Sequence, residues 1–108
     1  MPGPRTPTEA RKWVREAVAM KSYIQAVHFR ERLASRRITM LDALHVLGRA
    51  PHVDAHPDPP RHGGTCWRVI GRDVDGERTI AVGVEAFRDD LGRRLMLCTV
   101  IDTRRGGR

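Results

Sequence analysis

Cysteine is scarce in this chain, and the two present, Cys66 and Cys98, form no CxxC motif and stand beside no cluster of metal ligands. That excludes a disulfide scaffold and predicts two small buried hydrophobes, with a reducing cytoplasm as the default location. Aromatic residues make up 5% of the sequence, too few for a broad base-stacking platform, so Trp67 is assigned to the core. Long apolar runs are missing as well. The longest, "LMLCTVI", falls far short of the ~18 residues a membrane span needs, and "PGPRTPTEARK" after Met1 has no apolar signal core. The expectation is a cytoplasmic protein with no membrane partner. There is no internal repeat.

Acidic residues are in deficit: 13 Asp and Glu face 20 Lys and Arg, for a formal net charge of +7. Nearly all of the excess is Arg, whose planar fork suits phosphate oxygens. A surplus of this size fits RNA or another polyanion, or an acidic protein segment, because it steers encounter over a Debye length. A GC-rich genome enriches Arg to the same extent without any functional demand.

At 108 residues the chain has room for one core. Its hydrophobic share, 40%, is gathered into segments, so it should fold. The Pro- and Gly-rich opening "MPGPRTP" is expected to fray, and Thr6-Pro7-Thr8-Glu9 resembles a capping box with Pro at the first helical position. A helix to about Met20 follows, with Trp13, Val14, Ala17 and Val18 on its apolar face. "SYIQAV" suits a short strand or an extended lead-in, and "HFRERLASRR" a second helix with Phe29 and Leu33 buried. Thr39-x-x-Asp42 caps a third, its stripe of Leu41, Leu44 and Leu47 running until Gly48 offers a stop.

After Gly48 the pattern turns extended. His52 to Ala55 is at most a strand, and the loop that follows holds too much Pro and Gly for regular structure. "TCWRVIGR", "RTIAVGVEAF" and "LMLCTVID" read as strands, the first two joined by a hairpin at Asp75-Gly76. The predicted fold class is α+β, with N-terminal helices packed on a three- to four-stranded antiparallel sheet. The expected divisions are an N-terminal extension with a helix at 1–22, the α+β domain at 23–103 and a disordered basic tail at 104–108.

Chemistry concentrates in the second helix. His28, Arg32 and Arg36 recur at intervals of four and drift about 40° per step, one basic stripe at ~3.6 residues per turn. At a helix start, and with Arg30 and Arg32 near it, His28 is expected neutral and able to act as a general base, while the Arg residues hold a phosphate. Against this, His28 is equally a helix-start residue with a satisfied hydrogen bond, and Arg32 a partner of Glu31 or Asp42. His52, His56 and His62 lie in or beside the Pro-rich loop, which offers no third ligand at metal spacing, so they read as solvated loop and no metal or cofactor is expected. Thr99 is placed on a strand face with Leu97 and Ile101, where its hydroxyl bonds backbone or reaches into a site.

Taken together, His28, Arg32, Arg36, Ile38-Thr39, the hairpin "RVIGRDVDGERTIAV" and Thr99 resemble a small bacterial family, domain of unknown function (DUF) 4258, over about residues 23–103. The resemblance implies the fold of the RelE and ParE type toxins of toxin-antitoxin pairs, and a ribonuclease-like activity. It makes His28, Arg32, Arg36 and Thr99 the catalytic candidates. Arg30, Arg37 and Arg68 are the candidate nucleic-acid contacts, RNA and an antitoxin protein the expected partners. The alternative is a non-catalytic nucleic-acid- or protein-binding module of the same fold.

Overall fold

The computed structural model describes residues 3–103, so the expectation for the tail at 104–108 lies outside the described residues. In chain order the elements are α1 (Pro7–Ala19), β1 (Tyr23–Gln25), α2 (Phe29–Ser35), α3 (Met40–Arg49), β2 (His52–Ala55), β3 (Thr65–Arg72), β4 (Thr79–Asp89) and β5 (Gly92–Asp102). The fold is α+β, three helices with a five-stranded mixed sheet of order β1-β5-β4-β3-β2. This corrects the expected antiparallel sheet of three or four strands. β1 pairs in parallel with β5, Tyr23 opposite Leu95 and Gln25 opposite Leu97. Three residues are too few to show a period-2 pattern, and strand direction is not written in side-chain alternation at all.

Both capping boxes form. Thr6 Oγ1 accepts from the Glu9 N–H and the Glu9 carboxylate from the Thr6 N–H, and Thr39 and Asp42 repeat the exchange at α3. α3 does not stop at Gly48. It continues to Arg49, and Ala50 takes the left-handed cap at φ 41°, its methyl group fully buried. Leu41 is 67% exposed, and Ala43 instead joins Val46 and Leu47 in the core. The expected fraying stops short of residues 3 and 4. Gly3 and Pro4 are buried, and Thr65 Oγ1 donates to the Pro4 carbonyl at 2.7 Å.

α1 and α3 cover one face of the sheet. Ala10, Trp13, Val14 and Ala17 meet Ala43, Val46 and Leu47 over Trp67, Val69, Ile80, Val82, Val84, Leu95 and Leu97 in a single cluster. α1 thus belongs to the common core. At the other end of β5, where β1 has stopped, α2 closes the edge with Phe29 and Leu33, also members of this cluster.

A β-bulge decides what the opposite face carries. Gly83 pairs with Thr99 but Val84 pairs with Leu97, which leaves Cys98 as an extra residue in β5. Leu97 and Val100 consequently both enter the core, and Thr99 lies on the other face. The expected shared face of Leu97, Thr99 and Ile101 is therefore corrected, because period-2 counting fails across an inserted residue.

Arg78 ties the helices to the β3–β4 hairpin. Its guanidinium reaches Asp73 at 3.4 Å, Asp102 at 3.7 Å and Asp42 at 4.0 Å, and donates to the carbonyls of Arg36 and Arg37 at the end of α2. Asp42 also accepts from the Val74 N–H at 3.0 Å, so the α3 cap and the hairpin share one carboxylate.

Candidate functional site

The face of the sheet away from α1 and α3 forms the floor of an open cleft of about 910 Å³. Gly83, Met96, Cys98 and Thr99 line the floor, Ala26 to His28 and Arg32 one wall, and the strap from His56 to His62 the other. His28 and Arg32, one helical turn apart, meet the distant Thr99 here.

A buried carboxylate holds the strap down. Glu85, 2% exposed, points away from the core and accepts the N–H groups of Arg61 at 3.0 Å, His62 at 2.8 Å and Gly64 at 3.0 Å. The strap has too many Pro residues to make ladder bonds of its own, so Glu85 supplies acceptors its backbone would otherwise lack. The His62 ring stacks on Phe87 at 4.9 Å. Glu85 was missed from sequence, where "RTIAVGVEAF" was read only as a strand. The available signal was one carboxylate among "IAVGVEAF", one hairpin from a Gly-Gly pair that can approach it.

His28 caps α2 and its Nδ1 lies 2.7 Å from Glu31 Oε2. An ionised carboxylate only accepts, so Nδ1 carries the proton in this contact, and in the neutral ring Nε2 is the nitrogen that holds the lone pair. Glu31 therefore pairs with His28, not with Arg32. Arg32 is half-buried, and its Nη1 donates to the Cys98 carbonyl at 2.8 Å, the carbonyl that the bulge turns out of the ladder.

Arg36 is not in this cleft. α2 ends at Ser35, so Arg36 is its cap, and it lines a separate hollow of about 430 Å³ with Ser35, Arg37, Arg78 and Asp102. The stripe of four-residue spacing breaks where the helix does. Arg37, exposed with φ 54°, is beside it. Arg30 is exposed and donates to Gln25 Oε1 at 3.2 Å. Arg68, on β3 opposite Gly83, is not among the residues lining the cleft; its Nε is buried without a hydrogen-bond partner.

The histidines of the Pro-rich loop differ from one another. His52 is 60% exposed beside Asp54, whereas His56 is 17% exposed and lines the cleft. Among the described residues, no group of three or more His, Cys, Asp or Glu is placed to hold a metal ion. Both thiols line the cleft in their protonated form. Burial, reinforced by the Glu85 carboxylate, pushes Cys66 up to about 11, and burial raises Cys98 too. A thiol held there is a poor nucleophile. No helix of the described residues is long and apolar enough to cross a membrane. No family model matches this chain and no curated protein matches it.

Proposed function

We propose that this chain is a RelE-like toxin of a toxin-antitoxin pair, related to the DUF 4258 and RelE/ParE proteins and acting as a metal-independent RNA endonuclease. The observation that supports it is the meeting of His28, Arg32 and Thr99 in one cleft whose facing strap adds Arg61, His56 and His62. Glu31 orients His28 so that Nε2 can take the 2′-hydroxyl proton of RNA, a general-base role worth about 10²- to 10⁴-fold. The 2′-oxygen attacks phosphorus and the P–O5′ bond breaks. The products are a 2′,3′-cyclic phosphate and a 5′-hydroxyl, whose proton comes from water in the open cleft. Arg32 keeps one arm on Cys98 and offers the rest of its fork, with Arg61, to the charge that builds on the phosphorane.

The test is tightly induced expression of wild type and His28→Ala, with growth curves and sequencing of cellular RNA ends. New 5′-hydroxyl ends that vanish in a folded His28→Ala protein support the reading. Retained toxicity in that variant refutes the catalytic role. The second reading, a non-catalytic module that binds nucleic acid or an antitoxin, is favoured by one observation: the His28 and Glu31 side chains are 66% and 73% exposed, so water competes freely at the base. The ribonuclease reading and the nucleic-acid-binding form of the second both require RNA binding that weakens steeply with salt, measured by titrating a fluorescent RNA at two ionic strengths.

A further inference from the structure

We propose that His56 is a fixed hydrogen-bond donor to a non-bridging phosphoryl oxygen bound at the floor of the cleft. This rests on the ribonuclease reading and adds to it a residue of opposite function to His28. The Asp58 N–H donates to His56 Nδ1 at 3.2 Å. That nitrogen must therefore carry a lone pair, and the ring proton sits on Nε2. The Asp58 carboxylate is 3.7 Å from Nδ1, beyond hydrogen-bond reach. His28, bound through Nδ1–H to Glu31, has the reverse tautomer when its ring is neutral. Two imidazoles on opposite walls of one cleft thus present a lone pair and an N–H.

The position of the His56 ring follows from Gly83. A β-carbon there would lie 3.7 Å from both Cδ2 and Nε2 of His56, and 2.6 Å from the Thr99 methyl group. A bare backbone on the middle strand lets the Nε2 edge come down to the sheet beside Thr99. The backbone is held as well: the His56 N–H donates to the Cys66 carbonyl at 3.0 Å, one residue past β2. Only 17% of the side chain is exposed, so this donor is aimed before any ligand arrives. Its part is to stabilise charge rather than to shuttle protons.

Two measurements on the full chain test this. Long-range ¹H–¹⁵N NMR reads the tautomers and then follows inorganic phosphate: His56 is expected as Nε2–H, its Nε2 signal moving on titration while that of the exposed His52 stays still. Cleavage of RNA with a single phosphorothioate of each stereochemistry is then compared in wild type, His56→Ala and His56→Gln, each checked for folding by thermal melt. Wild type is expected to be slower on one diastereomer, because sulfur accepts hydrogen bonds poorly. His56→Ala should lose about 10²-fold in rate and cut both diastereomers alike, and His56→Gln, with an N–H of its own, should recover part of both. If wild type cuts no RNA but His56 answers to phosphate, the ribonuclease reading falls and the donor stands. If His56 carries its proton on Nδ1, ignores phosphate, or can be removed without changing the stereochemical preference, the donor proposal is refuted.

Discussion

Replacing Arg78 with Met removes a charge that three enclosed carboxylates share while keeping most of the side-chain volume. Asp73, Asp102 and Asp42 have side chains only 8%, 9% and 13% exposed, and Arg78 itself 20%. Taking one partner from so enclosed a cluster costs about 3–5 kcal/mol, a large share of the roughly 5–15 kcal/mol that holds a domain together. For a chain of this size about 4 kcal/mol lowers the melting temperature by about 20 °C. The loss also has a pH signature. Burial pushes the Asp73 and Asp42 carboxyls up, but at Asp73 the N–H groups of Glu77 and Arg78 and the guanidinium, and at Asp42 the Val74 N–H and Thr39, outweigh it and hold both below 3.8. A carboxylate depressed in the folded state stabilises fully above its unfolded value and loses that contribution as pH falls through the folded one. Wild type should therefore weaken below about pH 4. In Arg78→Met the Asp73 carboxyl loses the guanidinium that opposes its burial and takes up a proton more readily, so the penalty should shrink as the pH is lowered. Urea melts of both proteins at about pH 7 and about pH 3.5 measure this. A difference below about 1 kcal/mol at neutral pH, or one that does not change with acid, would refute the assignment of Arg78 as the charge that holds the hairpin to the helices.

Gly83→Ala should destabilise by about 1–3 kcal/mol, because the new methyl meets Thr99 Cγ2 at 2.6 Å; Thr99→Ser removes that methyl and should restore most of the loss in a double-mutant cycle read by chemical denaturation. Native Cys66, its thiol pushed up to about 11, should react with iodoacetamide far more slowly than in urea, as followed by mass spectrometry. Glu85→Gln keeps one acceptor oxygen of two, frees the strap and removes the charge beside Cys66, so alkylation of the folded protein should accelerate by about tenfold or more. His28→Ala, at an exposed position, should change stability by less than about 0.5 kcal/mol in a thermal melt, so any loss of activity reports on chemistry.

Local signals account for what was legible in the sequence. Each capping box pairs residues three apart, and β3, β4 and their Asp75-Gly76 turn rest on alternation and turn chemistry within a few residues. The helix carrying His28 and Arg32 was legible for the same reason. What failed depends on distant partners: β1 is a strand only because β5 offers it an edge, and Leu41 is exposed because α3 is turned by the sheet beneath it. The cleft was half legible. His28, Arg32 and Thr99 were singled out, but Arg36 was carried along a stripe that outlived its helix. His56 was set aside with the loop histidines because nothing local says which of them lies against Gly83 on the distant β4.

The position of β5 has a consequence for the order of assembly. It follows every other element in the chain yet lies in the middle of the sheet's pairing, between β1 and β4. During synthesis β1 has no neighbour and β4 only one until residues 92–102 have emerged, and until then Arg32 lacks the Cys98 carbonyl that holds it. A nascent chain lacking those residues carries His28 but neither Thr99 nor the floor beside it. The cleft cannot close around a ligand before residues 92–102 are in place. Its contacts are among the longest in the chain, so its formation belongs to the slow, late stage of folding.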